Sequence, residues 1–444
     1  MSERYRIVFQ SYDENDPEHI NEEKALLEGS ITLPTNCCNF SMGFEKQLTL
    51  IEKAQTCVLE KKANLLQQEK TICPECGKKV QKFGWQKSIF HDVLTDHNVT
   101  IQRLKCGGCG YEVPSTVKTI IDTAQSGDLK RIQANIGANF SYREGESILE
   151  LFSMNSRPIN NHDRIKHVVE DVGSVIEKIN KTEKEIVVIN EAKELVLNVD
   201  GGHVKTTEKE KRSIDAMTSV IYRPEALLSN PKGTRNYLDS KNCAASVKDD
   251  DQQQIISNTI VAALKQGLGS NTHVTALCDG AANSWNVVES LKPMCGSMTC
   301  ILDWFHLSMK LENISLPQRL KEKLLRIKWH LWRGNIKHAL KRLNQLIELA
   351  SQEKHISRIK KFMTYIINNT ERIVDYRLRK QQKLVFTSNL AESTVESLIN
   401  RRCKGHQHMR WSREGLNPIL QLRAAINSKS DWTNKWQTAV INSI

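Results

Sequence analysis

The stretch Glu194–Lys205, ELVLNVDGGHVK, decides the fold. Its apolar, β-branched first half reads as a strand, and Asp200-Gly-Gly reads as the turn that closes it. Outward from it, SIDAMTSVIY (213–222) and a stretch near NYLDSKNCAASV (236–247) read as two more strands. DQQQIISNTIVAALKQGL (251–268) places Ile255, Ile256, Ile260, Ala263 and Leu264 on one face and reads as an amphipathic helix. THVTALCDG (272–280) is a fourth strand ending in Asp-Gly, NSWNVVESL (283–291) a short helix, and MTCILDWFH (298–306) a fifth strand. The order β-β-β-α-β-α-β is that of a ribonuclease-H-like core, a mixed sheet flanked by helices.

From Leu307 to about Lys380 everything reads as helix, including KLLRIKWHLWRGNIKHALKRLNQLIELA. Upstream, residues 1–70 end in the helical stretch FEKQLTLIEKAQTCVLEKKANLLQQEK, with Leu48, Ile51, Ala54, Cys57, Val58 and Leu65 near helical period. A turn-rich cysteine segment follows at 71–115. The next stretch is helical but broken by SMNSRPINNHD, with Leu149, Leu151 and Phe152 before the break and Ile165, Val168, Val169, Val172 and Val175 after it. Two helices about a polar turn fit a helix-turn-helix DNA reader, and equally an αα-hairpin linker. The expected organisation is therefore a helical N-terminal region (1–70), a zinc ribbon (71–115), a helix-turn-helix-like region (116–185), a mixed α/β core (190–306 with 385–430) and an all-helical insertion (307–384).

At roughly 150 residues per domain, 444 residues suggest about three domains. Hydrophobic and charged fractions of 39% and 26% suit a globular chain rather than a disordered one. No stretch approaches the ~20 apolar residues of a membrane span. The acidic start, MSERYRIVFQSYDENDPEHINEE, lacks the apolar core of a signal peptide. A cytoplasmic protein without a membrane partner is expected, with its twelve cysteines reduced. The charge is uneven: residues 1–300 carry 36 basic and 40 acidic side chains, residues 301–444 carry 27 and 11. A polyanion would be drawn to the C-terminal third, although solvated Lys-rich helices would give the same excess.

Four groups of residues carry chemistry. Cys73-Pro-Glu-Cys76 and Cys106-Gly-Gly-Cys109, separated by 29 residues, have the spacing of two knuckles that complete a tetrahedral S₄ zinc site. Cys37, Cys38, Cys57, Cys243, Cys278, Cys295, Cys300 and Cys403 show no ligand spacing and read as small hydrophobes. Asp200 and Asp279 close the first and fourth strands, which lie side by side in a ribonuclease-H-like sheet. They can present two carboxylates to Mg²⁺ (or Mn²⁺), two ions about 3.5–4 Å apart that activate a water or 3′-hydroxyl; an ordinary turn would use the same Asp-Gly. Asp303 in DWFH is placed to cap the helix beginning near His306. Glu392 and Glu396 share a face of a probable helix near Arg401, Arg402, Lys404 and Arg410, which suits a metal centre that grips a phosphate backbone or, alternatively, a solvated face.

Together, VDGGHVK (199–205), CDGAANSW (278–285) with ILDWFHLSMKL, and AESTVESLINRRCKGHQHMRWS (391–412) resemble the bacterial insertion-sequence DDE transposases, in the branch similar to Mutator-like elements. The resemblance implies Asp200, Asp279 and Glu392 (alternatively Glu396) as the catalytic carboxylates, with Asp303 and His306 as a supporting Asp-x-x-His signature. It implies a helical insertion within the 112 residues between Asp279 and Glu392. It further implies Arg401, Arg402, Lys404 and Arg410 as DNA contacts, and double-stranded DNA (terminal inverted repeats and target) as the partner. A homodimer or larger DNA complex, in a bacterial, nucleoid-associated setting, also follows. Strand cleavage and 3′-hydroxyl strand transfer would proceed without a covalent protein–DNA intermediate. A non-catalytic zinc-dependent DNA-binding protein or repressor, or a nuclease that cuts without joining, are the alternatives. Trp285, Trp304 and Trp411 are expected in the core.

Overall fold

The computed structural model describes residues 3–35, 37, 40–68, 71–120, 124–182, 186, 188, 190–232, 236–388, 396–404 and 409–428. They divide into two compact units, residues 1–168 and 169–444.

The first unit opens with β1 (Glu3–Asp13) and β2 (Asp16–Ile31), a long antiparallel hairpin, followed by α1 (Phe44–Gln68). The helical expectation for residues 1–70 thus holds for α1 and is corrected for residues 3–31. The cause is pairing between positions some twenty residues apart. Arg6 meets Glu28 and Gln10 meets Glu23 across the ladder, each at 2.6 Å, and Asp13 Oδ1 accepts the Asn15 N–H at the turn. These acidic and amide residues have low strand propensity, so their alternation is legible only once paired.

Next comes a three-stranded antiparallel sheet of β3 (Val80–His91), β4 (Asp96–Cys106) and β5 (Glu112–Val113). Val99 and Ile101 pack with Ala63 of α1. Short α2 (Thr116–Ile120), α3 (Gly127–Asn139), α4 (Tyr142–Phe152) and α5 (Arg157–Asn160) follow. Ser126 caps α3, and a reciprocal Ser141–Glu144 capping box starts α4 two residues after α3 ends. Gln133 of α3 is fully buried and donates to Ile159 O and Asn160 Oδ1. The helix α6 (His162–Thr182) carries the chain into the second unit.

The second unit is a mixed α/β body. Its strands are β6 (Glu194–Lys205), β7 (Ser213–Tyr222), the small hairpin β8 (Leu227–Ser229) and β9 (Asn236–Leu238), β10 (Asn242–Ser246), β11 (His273–Cys278) and β12 (Ser297–Leu302). The main sheet runs β10-β7-β6-β11-β12. Its first two pairings are antiparallel; β11 is parallel to both β6 and β12. Alternation along β6 divides the core between two faces. Leu195, Leu197 and Val199 pack under α7 (Gln253–Lys265) and α8 (Ala282–Glu289) with Ile255, Trp285 and Val288. Val196 and Val204 face the opposite side.

That opposite layer holds α9 (Trp304–Glu312), α10 (Gln318–Trp332), α11 (Ile336–Glu348), α12 (Glu353–Asn368), α13 (Tyr376–Gln381) and α14 (Arg413–Asn427). Leu307, Leu331, Leu343, Ile366 and Leu420 form one cluster with Val196 and Ile301, so the helical segment shares the core of the sheet. One turn reading is corrected. Gly201 and Gly202 lie inside β6, paired with Met217 and Ala216, and the strand continues to Lys205. A Cβ on Gly202 would stand 3.2 Å from Lys404 Nζ and 3.4 Å from Ile399, so the glycine lets that segment pack over the strand.

Within this unit Gly173 of α6 touches α14, where a Cβ would meet Pro418 O at 2.3 Å. Gly173→Ala is expected to cost about 1–3 kcal/mol by overpacking against backbone that cannot rotate away. Urea unfolding of the purified variant, followed by circular dichroism, measures it.

Candidate functional site

Three adjacent parallel strands deliver three aspartates to one edge. Val199 of β6 pairs with Cys278 of β11, and Cys278 pairs with Leu302 of β12. The next residues are Asp200, Asp279 and Asp303, side by side on neighbouring strands about 4.8 Å apart. The ladder extends to the last of them, since the Asp303 N–H donates to Cys278 O at 2.9 Å.

The three carboxylates differ in their partners. Asp200 Oδ1 accepts the Gly201 N–H at 2.8 Å, and Asp279 Oδ1 accepts from Ala281 N at 2.9 Å and Ser284 Oγ at 3.4 Å. Among the described residues, neither Oδ2 accepts a hydrogen bond, and neither residue pairs with a lysine or arginine. Burial pushes the Asp200 carboxyl above the usual carboxylate range, and Asp279 and Asp303 add to that, against lowering by His306 and the Gly201 N–H. Asp303 is buried at 1% exposure and caps α9 through Phe305 N and His306 N. It also meets His306 Nδ1 at 2.7 Å, and accepts from Ser388 N and Ser388 Oγ, both at 2.8 Å. Despite its burial it is held below the ordinary range by His306 and Ser388. Burial would lower the His306 imidazole, yet Asp303, Asp200 and Asp279 together raise it.

The surroundings come from late in the chain. Gly280 has φ +91°, and a Cβ there would stand 2.7 Å from the Tyr365 ring. This explains the Asp-Gly pair by close approach as well as by turn geometry. Tyr365 Oη donates to Asp279 O, and Tyr376 Oη to Leu302 O, each at 2.7 Å. Glu396 opens a π-helical turn, Glu396–Asn400. The buried Arg423 guanidinium donates to Leu398 O at 2.7 Å and to Ser397 O, and burial pushes its pKa down to about 10. Glu392 lies outside the described residues.

Of the expected cations, Arg401, Lys404 and Arg410 are exposed. Arg402 differs: at 3% exposure it lies over the Trp411 ring, 5.0 Å from its centroid, so it is packed rather than displayed. Trp285 is buried, and Trp304 packs at a tilt against Trp332 and Tyr376. Trp411 N donates to Lys205 O at 3.0 Å, which places the Met-Arg-Trp stretch beside the end of β6. Sequence reading gave no role to Ser388, Tyr365 or Arg423: Tyr365 stands in no motif, and the other two lie in the C-terminal motif stretches without a partner visible in sequence. Only the buried arginine in an apolar helix, LNPILQLRAAIN, gave a signal.

In the first unit, Cys73, Cys76, Cys106 and Cys109 bring their sulfurs within 4.8 Å of one another. The two turns are alike. Gly77 N donates to Cys73 O and Gly110 N to Cys106 O, with both glycines in the left-handed region at φ +68° and +74°. Backbone N–H groups of Cys109 and Gly108, then Cys76, push the Cys106 thiol down to about 6. Cys109 receives a lowering hydrogen bond from the Tyr111 backbone, yet Cys76, burial and the remaining thiols push it up to about 12. Four thiols this close cannot all ionise without a cation among them, and the cluster can hold one metal ion such as zinc.

Residues 123–438 match the model of the uncharacterised protein family UPF0236, and the chain belongs to that family. No curated protein matches it. Among the described residues no helix is long and apolar enough to cross a membrane.

Two measurements follow from these geometries. The purified chain is expected to carry about one zinc, lost in Cys106→Ser with a penalty of several kcal/mol to the first unit; metal analysis and thermal melting check both. For Asp200, the raised pKa means that ionisation costs folding stability. That stability is present below the ordinary carboxylate pKa and lost as pH rises through the raised value. Metal-free Asp200→Asn should therefore melt above the unmutated protein at pH 7, with the gap closing toward pH 3. A gap independent of pH would overturn the assignment.

Proposed function

We propose that this member of UPF0236 is a DNA transposase of the DDE kind, which binds the terminal inverted repeats of an insertion sequence, cleaves the ends and joins them to target DNA. The observation that carries this reading is the aligned pair Asp200 and Asp279, each with one oxygen tied to the backbone and one open, on neighbouring parallel strands. A sheet with its third, second, first, fourth and fifth strands in that order, antiparallel then parallel, supports a ribonuclease-H-like core. The match of motifs in VDGGHVK, CDGAANSW and DWFH supports the activity.

The donor set fits hard divalent cations: two acidic oxygens unpaired with lysine or arginine among the described residues, one of them on a carboxyl that burial pushes toward protonation. Asp200, Asp279 and Glu392 (or Glu396) would hold two Mg²⁺ or Mn²⁺ ions. These would supply Lewis-acid activation of a water or 3′-hydroxyl and stabilisation of the leaving oxygen. The chain's own residues orient and exclude. Tyr365 and Gly280 shape the floor at Asp279, and Asp303 with His306 closes the side toward β12.

Several surfaces suit the polyanion. The segment 307–384 carries 19 basic against six acidic side chains. Arg401, Lys404 and Arg410 add exposed charge, and Lys404 crosses β6 at Gly202. In the first unit, we read the cysteine-bound sheet as a zinc ribbon whose outer face offers Phe83 beneath Arg103 and Lys105, with Trp85 61% exposed. The helices that flank the SMNSRPINNHD break, α4 and α6 with short α5 between them, are the helix-turn-helix candidate. Pairing of two element ends calls for a dimer or larger assembly in the bacterial cytoplasm.

Incubating the protein with labelled element-end DNA, a target plasmid and Mg²⁺ or Mn²⁺ tests the reading. Joined product that falls at least about 10³-fold in Asp200→Ala and Asp279→Ala is expected. Cleavage without joining would replace the reading by a nuclease, and binding without cleavage by a repressor. Glu392→Ala is expected to be inactive and Glu396→Ala active. Charge reversal at three or four lysines within 321–380 should weaken DNA binding and flatten its salt dependence; unchanged affinity would remove this lobe from the DNA interface.

A further inference from the structure

We infer that Asp303, although aligned with Asp200 and Asp279, is a positioning residue rather than a third metal-ligating carboxylate: it latches Ser388 and His306 to the end of β12. The inference rests on the divalent-metal reading of the Asp200–Asp279 pair.

Register alone would make the three aspartates equivalent. Their hydrogen bonds separate them. Asp303 Oδ1 accepts from Phe305 N at 3.4 Å and Ser388 N at 2.8 Å. Oδ2 accepts from His306 N at 3.3 Å and Ser388 Oγ at 2.8 Å, and meets His306 Nδ1 at 2.7 Å. A carboxylate offers about four acceptor sites, so five donors saturate it. At 1% exposure it has no open side toward a metal. Asp200 and Asp279 each keep an open Oδ2.

The latch acts on a chain that has other fastenings nearby. Trp304 N donates to Phe386 O at 3.3 Å, Arg379 Nε to Val385 O at 2.8 Å, and the Phe386 ring stands edge-on to Trp332 at 5.5 Å. Residues 385–388 are thus laid against the first turn of α9, with Ser388 held by Asp303. One buried carboxylate therefore fixes both the imidazole beside the open pair and Ser388, which in sequence stands four positions before the expected third carboxylate, Glu392.

The test compares Asp303→Asn, Ser388→Ala, their double variant and Asp200→Asn in the full chain. Mn²⁺ alone is the binding probe, read by electron paramagnetic resonance. Amide hydrogen exchange over 385–388 and strand-cleavage kinetics are the other readouts. The latch predicts Mn²⁺ affinity within about twofold of the unmutated protein in Asp303→Asn and Ser388→Ala, and a loss of about tenfold or more in Asp200→Asn. Exchange over 385–388 should quicken in both latch variants. Turnover should fall about tenfold with the KM for DNA unchanged, and the double variant should be no worse than Asp303→Asn, because the two residues act as one unit. Mn²⁺ binding weakened in Asp303→Asn as much as in Asp200→Asn would make Asp303 a ligand and overturn the inference. Unchanged exchange would overturn it as well. Should Asp303→Asn fail to fold, Ser388→Ala carries the exchange and turnover readouts. If the unmutated protein neither binds Mn²⁺ nor cleaves DNA, the metal reading fails, and the exchange data still decide whether the latch exists.

Discussion

The parallel register of β6, β11 and β12 is the constraint on which the rest depends. Strands that run the same way end at the same edge, so side chains one step beyond the last pair fall into a row. Burial of both faces locks that register. Leu195, Leu197 and Val199 belong to one core layer, and Val196 and Val204 to the other. A slip of one residue would exchange the layers and turn Asp200 toward Trp285. The position of two carboxylates is thus enforced by more than a dozen apolar side chains that take no part in chemistry. The fold in turn tolerates an aspartate whose ionisation its surroundings disfavour.

The helical segment between α9 and α13 finishes the edge of the sheet. Where the ladder runs out, carbonyls need donors, and Tyr365 and Tyr376 supply them to Asp279 and Leu302. Each ring is at the same time part of the shared core or packed against it. Burial raises both phenols far above their usual range, which keeps them protonated as donors. The segment is therefore not an appendage. Its apolar side continues the layer under Val196 and Ile301, and its basic side is held in fixed relation to the aspartate row.

What was legible in the sequence was what depends on short-range pattern. Short apolar runs closed by turn residues marked β6, β7, β10, β11 and β12, helical period marked α1, α6 and α7, and the paired CxxC spacing marked the four-thiol cluster. What was not legible depends on partners far along the chain. The β1–β2 hairpin has few β-branched residues and is identified by charge pairs such as Arg6–Glu28. The packing of Arg402 follows from Trp411, and the role of Asp303 from Ser388, 85 residues away. Gly202 read as a turn residue because Lys404 and Ile399, which require its missing side chain, come two hundred positions later.

The disposition of cations around the row carries the same logic a step further. A basic lobe beside two aspartates would ordinarily form salt bridges and close the site. Three cations near the row instead lie over aromatic faces: Lys310 over Tyr365 at 4.1 Å, Arg372 over Trp285 at 4.3 Å and Arg402 over Trp411 at 5.0 Å. Each of those rings belongs to the frame of the site. Tyr365 holds Asp279 O, Trp285 donates to Asn369 at the end of α12, and Trp411 pairs with the end of β6. A cation over a π face is held in place by the ring quadrupole, and Arg372 also meets Glu289 Oε1 at 4.0 Å rather than the aspartate row. Among the described residues Asp200 and Asp279 thereby stay unneutralised, in a body whose net charge is positive. On the proposed function, the open aspartate oxygens would take the divalent cations and the surrounding basic surface the DNA, with the aromatic rings holding nearby cations off the aspartates.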